Sequence, residues 1–312
     1  MWPFVLRRLL GAGLVLVLTT LFVAYAIRLS GDPTVAMFQG GSAPTPEQLA
    51  QMREALGIDR PFWQQYMEFV TGALKGDLGT SFRTGQPVWD MIVERLPATA
   101  LLAVSAMVVA IVISLPLGVL AAVRRGELLD SASRLLSLFG LSFPNFWLGI
   151  MFMLLFAVRL RWFPPSGYDG WRSVVLPALT LGIILSSTLV RLVRSNMLEV
   201  LGQQYIETAR AKGLPELRVV LAHGLRNALI PTITFLGLQF GALLGGTVIL
   251  EKVFAWPGLG QLALDAVSYR DYPVIQGVVT VLAAVTVLIN LLVDLSYGVL
   301  DPRVKVDGGA SS

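Results

Sequence analysis

The chain alternates long apolar stretches with shorter polar ones. The first apolar stretch covers residues 9–27 and follows a pair of arginines, Arg7 and Arg8. Because about 20 apolar residues are enough for a helix to cross a bilayer, this pattern predicts membrane-spanning helices. Five further candidate spans follow along the chain: residues 98–123, 135–158, 174–195, 229–250 and 273–296. The sequence therefore predicts an all-α polytopic membrane protein with six transmembrane helices.

The first apolar stretch has two interpretations. Its positive flank and the small residues of Ala24-Tyr25-Ala26 are typical of a cleaved secretory signal. Its length and the spans that follow it favour an uncleaved first helix. We therefore assign residues 1–28 to an N-terminal segment with the first transmembrane helix.

Residues 29–97 are mostly polar and predict a long extracytoplasmic loop with short amphipathic helices. Thr45 fits an N-cap with Pro46 at the first helical position, and Gln48 completes a capping box. Gly57 fits the C-terminal end of the same helix. These helices either lie on the membrane surface or pack against the spans of the chain itself.

Composition narrows the class of protein. Hydrophobic residues make up 55% of the chain and charged residues only 14%, whereas about 25% of the residues of a soluble domain are charged. Disordered proteins, coiled coils and nearly all water-soluble enzymes are excluded. With no cysteine and a single histidine, His223, the chain lacks the usual ligands of a thiolate or multi-histidine metal centre. We predict no catalytic residue and no metal site.

Charge predicts the orientation. The net charge of +4 indicates cytoplasmic loops rather than nucleic-acid binding in a membrane protein. Short loops carry this signal most strongly, and Arg124, Arg125 and Arg134 lie close together in one of them. We therefore predict that both termini are cytoplasmic.

The predicted spans are nearly free of ionisable side chains, and Asp294 is the one carboxylate candidate among them. Carriers driven by protons or sodium keep such residues near mid-membrane. The chain also lacks the GxxxxGK[ST] loop that would cradle the phosphates of ATP. The pattern favours a transporter driven by another subunit, and a stand-alone secondary carrier or channel is the alternative.

The longest predicted cytoplasmic loop, residues 196–228, contains a short helix that Gly213 and Pro215 end. In this loop, Glu207-Thr208-Ala209 is followed after three residues by Gly213. Nine further residues separate Gly213 from His223. This motif resembles the EAA loop of ABC importer permeases, which is usually EAA, three residues, G, nine residues and I-x-L-P. Here Thr208 replaces the first Ala of that pattern, His223 replaces the Ile and Arg226 replaces the Pro.

Motifs elsewhere in the chain carry the same resemblance. They are GDP at 31–33, LGIDRP at 56–61, GDLGTSF at 76–82, ARAKG at 209–213, HGLRNALIP at 223–231, EKVFAWPGLG at 251–260, DLSY at 294–297 and LDPR at 300–303. In this order they resemble the dipeptide/oligopeptide/nickel permease family over nearly the whole chain. Such importers pair two permeases, and the long loop 29–97 resembles the B-type member of the pair.

The resemblance implies a type I ABC importer permease fold and a transport complex. The expected partners are a second homologous permease, two ABC ATPase subunits that hold ATP and magnesium, an extracytoplasmic solute-binding protein and a peptide substrate. Glutathione or nickel is the alternative cargo within the family. Residues 98–303 would form the five-helix permease core and 304–312 a C-terminal tail. The expected location is a bacterial or archaeal cytoplasmic membrane.

The resemblance also implies which residues couple transport to the ATPase. Glu207, Ala209 and Gly213 correspond to the core of the EAA motif. By helical position, the neighbouring contacts are expected to be Tyr205, Ile206 and Thr208. The later part of the loop adds His223. Without the resemblance, an amphipathic helix resting on lipid headgroups is the alternative interpretation.

Small residues recur in the fifth predicted span at Gly237, Gly241 and Gly245. This spacing permits close helix packing. Two interpretations are open: a packing seam, or a surface along the translocation pathway with Gln239 as a polar lining group.

Overall fold

A computed structural model describes residues 2–37 and 45–300. Its regular elements are helices, with one isolated β-bridge between Thr80 and Pro87 in the described part. The N-terminal helices are α1 (Trp2–Leu29), α2 (Pro33–Met37), α3 (Pro46–Ala55), α4 (Phe62–Ala73), α5 (Val88–Val123) and α6 (Leu128–Ser142). The next are α7 (Asn145–Phe152), which continues as a π-helix (Met153–Arg159), α8 (Trp171–Leu201), α9 (Gln204–Ala211) and α10 (Glu216–Arg218). A second π-helix, Val219–Leu225, is called the π segment below; it leads to α11 (Arg226–Gly246), α12 (Val248–Val253), α13 (Leu259–Ser268) and α14 (Tyr272–Leu300).

Five helices of the described chain are long and apolar enough to cross a membrane. They cover Leu6–Leu29, Val88–Val123, Trp171–Leu201, Glu216–Gly245 and Tyr272–Val293. These ranges confirm five of the six predicted spans as long apolar helices. α5 begins at Val88, ten residues before the predicted start. The apolar pattern stops at the charged residues Asp90, Glu94 and Arg95, but charged side chains on a helix surface do not end a helix.

The predicted span 135–158 is not one continuous helix. α6 ends at Ser142, Phe143 is extended, and α7 begins after Pro144. Proline has no backbone N–H and disfavours a helical conformation of the residue before it. The remaining apolar helix runs from Asn145 to Arg159, shorter than the other five. A six-span topology therefore stays a prediction.

The chain forms two compact units. Among the described residues, the first comprises 2–37, 45–99, 244–248 and 257–300. Its core joins α1, α5, α13 and α14 through buried side chains: Ile27, Val88, Leu259, Val274 and Val278. Asp271, before α14, accepts hydrogen bonds from the Ser81 hydroxyl at 2.5 Å and the Phe82 N–H at 3.1 Å. These bonds fix the end of the polar loop within this unit.

The capping signals in the polar loop are confirmed. The Gln48 N–H donates to the Thr45 hydroxyl, and the Thr45 N–H donates to the Gln48 side chain, which forms the predicted capping box at α3. Gly57 follows the last turn with a φ of +65°. The side chain of Asp294 and the predicted tail 304–312 lie outside the described residues.

The second unit comprises residues 100–243 and 249–256. α8 runs through it and packs against α6, α7 and the π segment. Met107 and Ala110 of α5 pack on Leu185 and Leu189 of α8. A second cluster lies toward the C-terminal end of α8, and it supports the segment that carries the EAA-like motif.

Candidate coupling site

The helix α9 carries the EAA-like motif and presents two different faces. Ile206 is fully buried and Ala209 is nearly so, and both pack with Val219 of the π segment. Three other predicted coupling residues are exposed on the same helix: Tyr205, Glu207 and Thr208. The structure therefore divides the motif into a buried anchor and an accessible surface.

The C-terminus of α9 is closed by a glycine in a left-handed conformation. Gly213 has a φ of +76°. Its N–H donates to the Arg210 carbonyl at 2.9 Å, and the Leu214 N–H donates to the Ala209 carbonyl at 3.4 Å. These two bonds are the pair that defines a Schellman cap, and Leu214 also packs on the buried face of α9. Gly213 therefore has a conformational reason to be glycine.

An ion pair joins α9 to α10. The Arg210 guanidinium donates to both carboxylate oxygens of Glu216, at 3.1 and 2.7 Å. Hydrogen bonding to Glu216 raises the pKa of Arg210 above its ordinary value. Both side chains are about half exposed, so the pair contributes little stability and mainly sets the path of the turn between the helices.

Asn227 links the two ends of the motif. Its side-chain N–H groups donate to the Tyr205 hydroxyl at 2.9 Å and to the His223 carbonyl at 3.1 Å. His223 therefore contributes its backbone to this contact, as part of the π segment. The structure brings Tyr205 and His223 together through Asn227, which lies in the HGLRNALIP motif but was not among the predicted coupling residues. Side-chain amides leave no periodic signal, so the pattern alone did not reveal it.

The motif rests on a packed platform, which we define by Ala122, Val193, Met197, Val220 and Ala228. These residues come from α5, α8, the π segment and α11. Val193 and Met197 are almost completely buried. The π segment therefore contacts α9 through Val219 and the platform through Val220.

A buried carboxylate lies beside this platform in the same unit. The Asp130 side chain is inaccessible to solvent and accepts two hydrogen bonds from Arg194, at 2.6 and 3.0 Å. Arg134 donates at 2.6 Å and the Gly126 N–H at 3.0 Å. Hydrogen bonds from Arg194, Arg134 and Gly126 hold the pKa of Asp130 well below its usual range. Asp130 therefore stays ionised and joins the start of α6 to α8.

From the sequence alone, Arg134 indicated only the orientation of its loop. The four-residue spacing of Asp130 and Arg134 is the familiar helical ion-pair spacing and could have revealed that contact. No local signal links Asp130 to Arg194, because 64 residues separate them. The structure shows that both arginines neutralise one carboxylate.

Comparison with known proteins decides the family. Residues 114–306 match the family described as "binding-protein-dependent transport system inner membrane component", and residues 1–103 match the N-terminal region described for such membrane components. The chain belongs to this family. It is an ABC importer permease of the dipeptide/oligopeptide group and a multi-pass membrane protein.

Named relatives resemble the permease over its full length. It is 42% identical to the dipeptide transport system permease protein DppB of Escherichia coli K12, over 98% of this chain and 99% of the relative. It is also 42% identical to the glutathione transport system permease protein GsiC of Salmonella choleraesuis, with the same coverage.

A solved structure shares the fold of the permease. A chain of the MetNI methionine ABC transporter, in an inward-facing conformation, aligns with a TM-score of 0.53 and 23% identity. The alignment covers 69% of this chain and 96% of that chain. The predicted ABC importer permease fold is thereby confirmed.

The predicted pathway residues of the permease lie apart from the coupling motif, on α11. Gly241 is buried, Gly237 and Gln239 are half-buried, and Gly245 is exposed. A Cβ built on Gly245 would meet no atom of the described chain within 4 Å. Gly237 lies roughly 16 Å along the helix from Arg226. The structure thus leaves both interpretations of this glycine series open.

Proposed function

We propose that this permease forms, with a second homologous permease, the pathway of an ABC importer for short peptides. An extracytoplasmic solute-binding protein would deliver the cargo, and two separate ATPase subunits would hold ATP and magnesium. The bacterial or archaeal cytoplasmic membrane is the proposed location. The observation that carries this proposal is α9, which pairs the EAA-like motif with one anchored face and one accessible face.

The relatives support a peptide as cargo. One is named for a dipeptide and the other for glutathione, and both match nearly the whole chain at the same identity. Glutathione is itself a short peptide, so peptide chemistry is common to both names. A nickel chelate is the alternative cargo, and a direct uptake assay with each compound separates them.

The two faces of α9 suggest different roles for the predicted coupling residues. We assign Tyr205, Glu207 and Thr208 to contact with the ATPase, because these side chains are accessible. We assign Ile206 and Ala209 to holding the helix on the π segment, because both are buried there. Gly213 would fix the end of the helix, and His223 would help to position Tyr205.

The remaining organisation of the chain follows from the same proposal. We propose six spans, cytoplasmic termini and an uncleaved first helix. The packing of α1 against α14 supports retention of that helix, since Ile27 belongs to the core of the first unit. We also propose that Gly245 faces the partner permease, because it leaves open space for another chain. The buried Gly241 instead fits the packing seam. Gly237 and Gln239 are half-buried and fit either role.

The test is Glu207→Lys in the complete transporter. We expect loss of ATPase co-purification and of peptide uptake with normal membrane insertion, because an exposed carboxylate at the proposed contact becomes a repulsive cation. Glu54→Lys is the matched control, since Glu54 is also exposed on a helix but lies in the polar loop. Normal ATPase association and uptake in Glu207→Lys would contradict the coupling role. Uptake by this chain alone would instead favour a stand-alone carrier.

A further inference from the structure

An apolar groove crosses the surface of the second unit beside the coupling platform. One wall is the stretch of α5 from Leu115 to Val123, and the other is formed by α10 and the π segment up to Leu225. Its volume is about 560 Å³, and Glu216 is the one charged residue of the described chain that lines it. Leu217 is 73% exposed and Leu221 is 49% exposed. The described side chains of the permease thus leave this apolar groove uncovered.

The groove is slightly shorter than the thickness of one membrane leaflet. At 1.5 Å per residue, the wall from Leu115 to Val123 extends for about 12 Å. Half of the hydrocarbon core of a bilayer is about 15 Å. Both walls belong to helices that are long and apolar enough to cross the membrane. An acyl chain lying along these helices would therefore fill the groove from end to end.

One end of the groove is basic. Arg124 and Arg125 follow directly after the last lining residue of α5, and both are exposed. Arg125 lines a smaller cavity of about 280 Å³ that shares Val123 and Glu216 with the groove. Glu216 is already paired with Arg210. Across the described chain, neither of the two consecutive arginines forms an ion pair.

We propose that this groove binds one anionic phospholipid, with an acyl chain between α5 and the π segment and the headgroup phosphate at Arg124 and Arg125. Burial of apolar surface gives little selectivity inside a membrane, because lipid tails are as apolar as leucine. Shape and headgroup charge must therefore supply the selectivity among lipids. Basic clusters at the membrane surface attract anionic lipids. A protein partner would not explain why the apolar groove runs along two membrane-crossing helices and ends in two exposed cations.

The position of the groove connects the lipid to coupling. Val220 lines the groove and also belongs to the platform under α9. A bound acyl chain would therefore contact the same π segment that anchors Ile206 through Val219. We expect occupancy to hold this segment against α5 and to increase the fraction of complexes in which peptide stimulates ATP hydrolysis.

The test uses the complete transporter in nanodiscs with equal amounts of phosphatidylglycerol and phosphatidylcholine of identical acyl chains. Each lipid is supplied in turn with a photoactivatable acyl chain, and crosslinks are mapped by mass spectrometry. We expect phosphatidylglycerol to crosslink within residues 115–123 and 217–225. Arg125→Gln should reduce this labelling about fivefold, as expected for one basic residue near an anionic surface. Arg172 is an exposed arginine at the N-terminal end of α8, and Arg172→Gln should leave the labelling unchanged.

A second variant tests the apolar part. Leu221→Trp adds bulk at a half-exposed position and should reduce labelling without disturbing the buried platform. Equal labelling by both lipids, or labelling insensitive to Arg125→Gln and to Leu221→Trp, would overturn the proposal. A benzophenone side chain at position 217 gives an independent answer. Crosslinking to phosphatidylglycerol supports the lipid, whereas crosslinking to a neighbouring protein of the complex would show that protein covers the groove.

Discussion

Gly213 shows how one residue determines where α9 ends. Its positive φ allows the two hydrogen bonds that close α9, and a Cβ at this position would meet no atom within 4 Å. A substitution therefore causes backbone strain rather than a steric clash. For an ordinary L-residue this left-handed conformation costs about 1–2 kcal/mol.

We predict that Gly213→Ala weakens ATPase association and peptide-stimulated ATP hydrolysis, while Gly213→Asn has a smaller effect because asparagine tolerates this conformation. Co-purification of the ATPase with the permease measures the outcome. Gly76→Ala is the matched control, since Gly76 also has a positive φ and open space around it. Equal defects in the alanine variants at 213 and 76 would contradict a local role for Gly213.

Asp130 is the residue for which pH dependence can be predicted. Its pKa is lower in the folded protein than in the unfolded chain, so its contribution to stability is complete above the unfolded value, about 3.9, and declines below it. We predict that the difference in melting temperature between the wild type and Asp130→Asn is constant from pH 8 to pH 5 and shrinks in more acidic buffer. Thermal unfolding of the purified complex measures it. A difference that already disappears near pH 6 would contradict this assignment.

At the scale of the element, α9 depends on its contact with the π segment rather than on its own length. Eight residues are too few for a stable isolated helix in water. Helix propensity predicted its existence, and Gly213 with Pro215 predicted its end. The sequence did not show which face of α9 is buried. That face packs on Leu214 and Val219, and both residues lie in the segment after the helix.

We predict that Ile206→Ala loosens α9, because removing most of a fully buried isoleucine side chain typically costs about 2–5 kcal/mol. Hydrogen–deuterium exchange over residues 204–211 measures the effect, and exchange should become faster there while α14 stays protected. Thr208→Ala is the control on the same helix, since Thr208 is exposed. If both variants exchange at the wild-type rate, the buried contact does not hold the helix.

At the scale of the whole molecule, membrane-spanning helices were the most predictable feature. A helix satisfies all its backbone hydrogen bonds internally, which the bilayer requires, so a long apolar run has few alternatives. Pro144 interrupts the predicted span 135–158. The extended Phe143 before it turned one apolar run into two shorter helices.

The orientation is predicted from the basic loops and is tested with reporters. A reporter fused after Lys212 should be active in the cytoplasm, and one fused after Gly79 should be active outside, because arginine-rich short loops stay inside. Alkaline phosphatase and green fluorescent protein fusions at both sites measure this. The reverse pattern at both sites would overturn the topology and would place the EAA-like motif out of reach of a cytoplasmic ATPase.

The sequence by itself determined the helical membrane class, five long apolar helices, the capping of α3 and the position of the coupling motif. Each of these depends on interactions between residues close together in the chain, or on the bilayer as solvent. The tertiary structure decided which of the predicted coupling residues are buried, that Arg194 neutralises Asp130, and that an apolar groove ends at two exposed arginines. Those features need segments far apart in sequence to meet, and local spacing carries no information about which distant side chain arrives.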